Sequence, residues 1–146
     1  MNDQGRILGI DFGTKRIGLS ISDPLRIIAT SYGTIGNTPG VWKELAEIIR
    51  GEAIAFIVIG MPLNLKGEEG EKARQVRSFI DELGNRFQME VVPWDERFTT
   101  SMAQQSLRDM GTTQKQRRTA RGRIDAMAAA IMLQGFLDST KKSMSC

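Results

Sequence analysis

One short segment limits what this chain can fold into more than any other: an apolar run, Arg6–Asp11, that ends in a carboxylate. The run is apolar on both faces, which is typical of a central strand rather than an edge strand. The sequence Gly13-Thr14-Lys15-Arg16 then predicts a tight turn with two cations close to the acid. A carboxylate at the tip of a buried strand is costly to desolvate unless positive charge lies opposite it. Taken alone, Asp11 is more simply explained as the cap of a β-turn.

The rest of the chain predicts a mixed sheet flanked by helices. Alternation over 17–21 predicts a half-buried second strand, and 27–35 a third, so the first three strands form an antiparallel meander. Thr38 and Pro39 predict the start of a helix that Gly51 ends. The later elements are predicted, in order, as strand 55–60, helix 73–87, strand 89–94, helix 101–110 and helix 123–137. The predicted fold class is therefore α/β, a five-stranded mixed sheet of three antiparallel strands followed by βα units.

The composition removes several kinds of chemistry. The chain has 146 residues, no histidine, and one cysteine, Cys146. This excludes Ser-His and Cys-His nucleophile pairs, an imidazole general base, a disulfide framework and the usual zinc sites. The groups that remain for catalysis are carboxylates, hydroxyls, amines and guanidinium groups. A ligand set made only of oxygen atoms favours Mg²⁺ or Mn²⁺.

Length and hydropathy predict one domain over residues 1–138, followed by a polar segment, 139–146, that we expect to be a disordered tail. The sequence shows no signal peptide and no apolar run that could span a bilayer, which favours a cytoplasmic protein. The net charge of +3 suits a polyanionic partner such as nucleic acid. Whether the protein is a monomer or a homodimer stays open.

Three acidic motifs occur where predicted strands end or a predicted helix begins. Asp11 ends the first strand, Asp95 and Glu96 follow the fifth strand, and Asp125 lies in the first turn of a nearly apolar helix. Singly, each acid has a structural explanation, as a turn cap, a strand end or a residue that favours the helix dipole. Together, they predict a site in which carboxylates from separate elements hold two divalent ions. Such a site can hydrolyse a phosphodiester without a histidine.

The segment directly before Asp125 is strongly basic. Residues 115–123, Lys-Gln-Arg-Arg-Thr-Ala-Arg-Gly-Arg, carry five cations in nine positions. A solvated turn of helix would explain this run, but its position next to an acid favours a clamp for the phosphates of a nucleic acid. The loop 61–70 is either an ordinary connection or a wall of the same groove. The predicted phosphate contacts are Lys15, Arg16, Arg118, Arg121 and Arg123.

Four segments of the chain resemble the YqgF/RuvX family. They are Gly9-Ile10-Asp11-Phe12-Gly13-Thr14-Lys15-Arg16-Ile17-Gly18, Gly60-Met61-Pro62-Leu63-Asn64, Asp95-Glu96-Arg97-Phe98-Thr99-Thr100 and Ile124-Asp125-Ala126-Met127-Ala128-Ala129. The resemblance covers about residues 5–138, and four motifs in the same order make it specific. It implies the RNase H-like fold, with Asp11, Glu96 and Asp125 as the acids that hold the metal. It also implies a nuclease, either for the 5′ end of the 16S ribosomal RNA precursor or for Holliday junctions.

Three functions follow as hypotheses. The leading one is an endonuclease that depends on Mg²⁺ or Mn²⁺ and cuts structured RNA or branched DNA. The second is an ATP-binding enzyme, because Asp-Phe-Gly-Thr also resembles the first phosphate motif of actin-like sugar kinases and chaperone ATPases. Those proteins, however, need two such domains to enclose a nucleotide. The third is a non-catalytic RNA-binding module. Whether Asp95 assists or replaces Glu96 stays open, because the predicted fourth strand ends in Gly60-Met61-Pro62, without an acid.

Overall fold

The computed structural model describes residues 5–63, 66–95 and 114–144, and the side chains of its last helix over residues 124–140. Its strands are β1 (Arg6–Asp11), β2 (Arg16–Ser22), β3 (Ala29–Gly36), β4 (Ile54–Met61) and β5 (Val91–Asp95). Its helices are α1 (Val41–Gly51), α2 (Glu71–Phe87) and α3 (Gln114–Met144). None of these helices combines the length and the apolar character that a membrane span requires.

β1 is the central strand of a five-stranded sheet with the order β3-β2-β1-β4-β5. It pairs antiparallel with β2 and parallel with β4, and β4 pairs parallel with β5. The apolar sequence of β1 explains this central place, because both faces of such a strand are covered by other elements. The predicted fold class, a mixed sheet of three antiparallel strands followed by βα units, is confirmed.

The two faces of the sheet carry different helices. On one face, Leu8 and Ile10 of β1 pack in a core with α1 and α2. On the other face, Ile7 packs with Leu133 and Leu137 of α3. Burying each of these aliphatic side chains contributes about 1.5–3 kcal/mol, so both layers hold the sheet firmly. Because side chains alternate along a strand, a residue's position decides which of the two helical layers it meets.

The prediction that β2 is half-buried is wrong. Its residues are buried on both faces, and Ser20 and Ser22 are fully buried. The Ser20 hydroxyl donates to the carbonyl of Ala129 at 2.8 Å, and the Ser22 hydroxyl accepts from the N–H of Ile7 at 2.9 Å. Together with Gly18, these small residues let the backbone of α3 approach the strand. An alternation that is typical of an exposed face therefore marks a close helix contact here.

Two of the early elements begin later than predicted. α1 begins at Val41 rather than at Pro39, because the preceding residues form a turn in which the Thr38 hydroxyl accepts from the N–H of Gly40 at 3.3 Å. β3 begins at Ala29, because the residues before it belong to a turn that Asp23 closes with its backbone and side chain.

The last helix differs more from its prediction. α3 begins at Gln114 instead of 123, since the lysine, arginine, glutamine and alanine residues of the basic segment are good helix formers. It also continues past the predicted domain boundary at 138 to Met144, so most of the expected tail is helical. The predicted helix 101–110 lies outside the described residues. The assignment of a single domain to residues 1–138 stays a prediction.

Candidate active site

Asp11 ends β1 on the face of the sheet that α3 covers. Ile7 and Gly9, which lie on the same side of β1 by alternation, both lie against α3. At Gly9 the approach is close, because a Cβ there would lie 3.1 Å from the Cβ of Leu133. Asp11 itself is half-buried, and its partner across the sheet is Gly18 of β2.

Asp125 reaches the same place from α3. It is half-buried, and its backbone carbonyl lies so close to Gly18 that a Cβ at position 18 would clash with it. Because Gly18 is also the sheet partner of Asp11, the two acids flank one glycine. The structure therefore brings together two of the three acids on which the sequence prediction rests. Gly18 was not singled out in the sequence, where it is one of several small residues that alternate with apolar ones.

Asp125 is held by an ion pair within this cluster. The Nε of Arg16 donates to the Oδ2 of Asp125 at 2.8 Å, with the two side chains 42% and 25% exposed. Arg16 begins β2 and lies two residues before Gly18, so alternation places it on the face that α3 covers. Arg16, one of the two cations that the sequence predicted close to Asp11, thus binds Asp125.

The turn between β1 and β2 is fastened to the end of β3. The side-chain amide of Asn37 donates to the carbonyl of Gly13 at 2.8 Å, and its backbone N–H donates to the carbonyl of Lys15 at 3.0 Å. These bonds fix the turn that precedes Arg16, and Lys15 in this turn is exposed. Asn37 is a positioning residue that the sequence did not reveal, because an asparagine after a strand is most simply a turn residue.

Asp95 faces the opposite layer of the protein. In β5, Trp94 packs on Phe136 of α3, with ring centroids 5.5 Å apart, and therefore points to the face that carries Asp11. The next residue, Asp95, points to the other face by alternation, and it is exposed. Asp95 is thus poorly placed to share a site with Asp11 and Asp125.

β4 lies between β1 and β5 and has a glycine, without a side chain, at the level of Asp11. Gly60 of β4 pairs with Trp94, and the register of β1 with β4 puts Gly60 level with Asp11. Two strand spacings of about 4.8 Å each separate the ends of β1 and β5. Glu96, the acid that follows β5, lies outside the described residues. Among the residues that are described, no three acidic, histidine or cysteine side chains gather in a group that could hold a metal.

The basic segment belongs to the backbone of α3. Positions 121 and 118 lie four and seven residues before Asp125, which is about one and two helical turns. Position 123 lies only two residues before Asp125, and hence on a different side of the helix. The side chains of Arg118, Arg121 and Arg123 are outside the described residues, so their contacts stay a prediction.

The chemistry of the cluster fits a hard divalent cation. Asp11 and Asp125 offer carboxylate oxygens, the ligands that Mg²⁺ and Mn²⁺ prefer. Both acids are half-buried, which leaves access for an ion and its water molecules. The guanidinium group of Arg16 shows that Asp125 already attracts a cation.

The described part of the loop between β4 and α2 is attached to α2. Arg77 of α2 binds both carboxylate oxygens of Glu69, at 3.0 and 2.8 Å, and Leu63 pairs with Glu69 in an isolated bridge. Leu63 also packs against the core that contains α1 and α2. These contacts fix the loop toward the layer opposite α3, and residues 64–65 lie outside the description.

Comparisons with known proteins identify the family of this chain. Residues 5–139 match the RuvX family, described as Holliday junction resolvase. A protein of a Sulfurihydrogenibium species, named "Putative pre-16S rRNA nuclease", is 41% identical over 135 residues, which cover 91% of this chain and 90% of that protein. A Salinibacter ruber protein of the same name is 37% identical over 142 residues, 96% of this chain and 97% of its own.

A solved structure shows the same fold at much lower sequence identity. RuvC of T. thermophilus, solved in complex with a Holliday junction substrate, superimposes with a TM-score of 0.56 at 12% identity. The match covers 94% of this chain and 96% of RuvC. From the matched family and the relatives that align over nearly their whole length, we conclude that this chain belongs to the RuvX family of nucleases.

Proposed function

We propose that this protein is a metal-dependent endonuclease that processes the 5′ end of the 16S ribosomal RNA precursor. The observation that carries the proposal is the meeting of Asp11 and Asp125 at Gly18, on one face of the sheet. The names of the relatives supply the substrate. Because a ribosomal precursor is the proposed substrate, the proposal also places the protein in the cytoplasm.

The proposed site uses three carboxylates. Asp11, Glu96 and Asp125 would hold Mg²⁺ or Mn²⁺, which when bound activates water and neutralises charge on the phosphate that is cut. The contribution of the chain is to keep Asp11 and Asp125 on rigid elements, a central strand and a long helix. Rigid elements hold ligands more accurately than loops do.

The substrate would be held by its phosphates. The proposed contacts are Lys15, Arg16, Arg118, Arg121 and Arg123. Lys15 is exposed in the turn between β1 and β2. Arg118, Arg121 and Arg123 occupy the turns of α3 that lead to Asp125. Contacts of this kind fix the position of a nucleic acid without reading its sequence. Selectivity for one RNA end would then depend on the shape of the substrate.

A second candidate is cleavage of Holliday junctions, which the description of the matched family favours. A resolvase cuts two strands symmetrically and therefore needs a two-fold dimer. The proposals differ in both substrate and assembly, so one assay with a measured oligomeric state separates them.

The test is a cleavage assay in Mn²⁺ with a ribosomal precursor RNA and a four-way DNA junction, for the wild type and Asp11→Asn. We expect the wild type to cut the RNA near the mature 5′ end and Asp11→Asn to be inactive with an unchanged melting temperature. Symmetric cuts in the junction alone would favour the resolvase. Binding that weakens with salt, without cleavage by any divalent ion, would indicate a non-catalytic RNA-binding module.

A further inference from the structure

The ion pair between Arg16 and Asp125 differs in kind from two other pairs, which both involve α2. Arg77–Glu69 joins α2 to the loop before it, and Arg86–Glu82 lies within α2; both pairs are exposed and join residues close together in sequence. Arg16 and Asp125 are 109 positions apart and join β2 to α3 beside Gly18. A pair at this place connects two packed elements at the candidate metal site.

The pair competes with a divalent cation for Asp125. The Nε of Arg16 lies 2.8 Å from Oδ2, whereas Mg²⁺ lies about 2.0–2.1 Å from a carboxylate oxygen. An ion at Oδ2 would therefore lie at most about 5 Å from Nε, where the positive charge of the guanidinium group opposes its binding. An ion at the other oxygen of Asp125 would still lie within a few ångströms of a fixed positive charge, which repels it.

Arg16 is placed so that it can move. Its side chain is 42% exposed, so the guanidinium group can leave Asp125 for water or a phosphate without being buried alone. The backbone of the preceding turn is held by Asn37, so only the side chain has to turn.

We propose that Arg16 is the built-in counter-ion of the candidate metal site. It pairs with Asp125 while no metal is bound, and it gives way when a divalent ion binds, which turns it toward the phosphate of the substrate. This inference rests on the proposed function, because it names a role for Arg16 at the same site. It makes Arg16 a positioning residue that lowers metal affinity in the free protein.

The test measures Mn²⁺ affinity by electron paramagnetic resonance for the wild type, Arg16→Gln and Arg16→Lys. We expect Arg16→Gln to bind Mn²⁺ about 5- to 20-fold more tightly, because one nearby positive charge is gone. Arg16→Lys keeps the charge and should stay within about threefold of the wild type. Arg86→Gln is the matched control, since it removes an exposed arginine from an ion pair of 2.7 Å on α2, and its affinity should equal that of the wild type.

The outcomes separate this inference from the proposed function. If Arg16→Gln binds Mn²⁺ as the wild type does, or more weakly, Arg16 is not a competing counter-ion, while the nuclease site stands. If Arg16→Lys binds as tightly as Arg16→Gln, charge is not the cause, and the inference also fails. If neither the wild type nor any variant binds Mn²⁺, both the counter-ion and the metal-dependent nuclease are wrong. Melting temperatures with and without Mn²⁺ give a second measure, because a tighter ion stabilises the fold more.

Discussion

The backbone carbonyl of Asp125 occupies the space that a side chain at position 18 would need. Gly18 is thus a point of close contact between β2 and α3, and it is also the residue that pairs with Asp11. The close approach of helix and strand and the meeting of the two acids are therefore one feature of the structure. A change at Gly18 should affect both stability and metal binding.

We expect Gly18→Ala to destabilise the protein by about 1–3 kcal/mol, because the added methyl group pushes α3 away from β2. It should also weaken Mn²⁺ binding by moving Asp125. Gly84→Ala is the control, because a Cβ at Gly84 of α2 meets nothing within 4 Å. Alanine there should raise the free energy of unfolding by up to about 1 kcal/mol. Urea unfolding and Mn²⁺ titration of both variants check the prediction, and a Gly18→Ala protein as stable as the wild type would contradict it.

Asp95 should be dispensable for metal binding, because it points to the face opposite Asp11. Asp95→Asn is expected to bind Mn²⁺ within about threefold of the wild type. Asp11→Asn should lose more than about 100-fold, since a direct ligand matters more than the groups that support ligands. Calorimetric titration with Mn²⁺ measures both, and a large loss in Asp95→Asn would show that this acid replaces Glu96.

The basic turns of α3 should control how strongly binding depends on salt. Replacing Arg118, Arg121 and Arg123 by glutamine should lower the slope of log affinity against log salt by about 2–3, since each phosphate contact contributes about 0.7–0.9. The control replaces Lys72 and Arg74, which are exposed on α2 in the opposite layer, and should leave the slope unchanged. Filter binding of precursor RNA at several salt concentrations provides the measurement, and equal slopes in all three proteins would exclude the clamp.

The turn before β3 should make stability depend on pH. The backbone N–H groups of Ile28 and Ile27 donate to the Asp23 carboxylate and lower its pKa below the ordinary value of 3.8. Because the pKa of Asp23 is lowered in the folded state, the charged carboxylate stabilises the fold. This stabilisation is complete above the ordinary pKa and is lost as the pH falls through the lowered pKa. Asp23→Asn should therefore lose less stability than the wild type between pH 5 and pH 3. Urea midpoints across this range test it, and parallel curves for the two proteins would contradict it.

The order of the elements and the central place of β1 could be predicted from the sequence, because apolar runs and helical periodicity are local patterns. The burial of β2 could not. Gly18, Ser20 and Ser22 look the same in sequence whether they face water or a closely packed helix, and only the backbone of α3 decides between the two. The early start of α3 was missed because a run of cations is equally typical of a solvated turn.

The candidate site was predictable to a similar extent. Asp11 could be named from its position at the end of a strand. Asp125 could be named from the basic segment before it, but its predicted place in the first turn of a helix is wrong, because α3 begins eleven residues earlier, at Gln114. Their meeting at Gly18 depends on tertiary packing, as does the pairing of Arg16 with an acid 109 positions away. The face of Asp95 follows from its register with Trp94, which becomes clear only when the packing of Trp94 on Phe136 is known. The role of Glu96 stays a prediction.

The unbroken course of α3 has a consequence for how a substrate would be held. Leu133 lies near Gly9 and Asp125 near Gly18, so the helix runs along the sheet toward the edge where β1 ends. The residues from Gln114 to Asp125 form about 16 Å of continuous helix before Asp125. A nucleic-acid strand that lies along this part of α3 would be in contact with it over about five nucleotides on one side of the scissile bond. Because these contacts lie on only one side of the cleaved bond, the product bound along α3 would dissociate last.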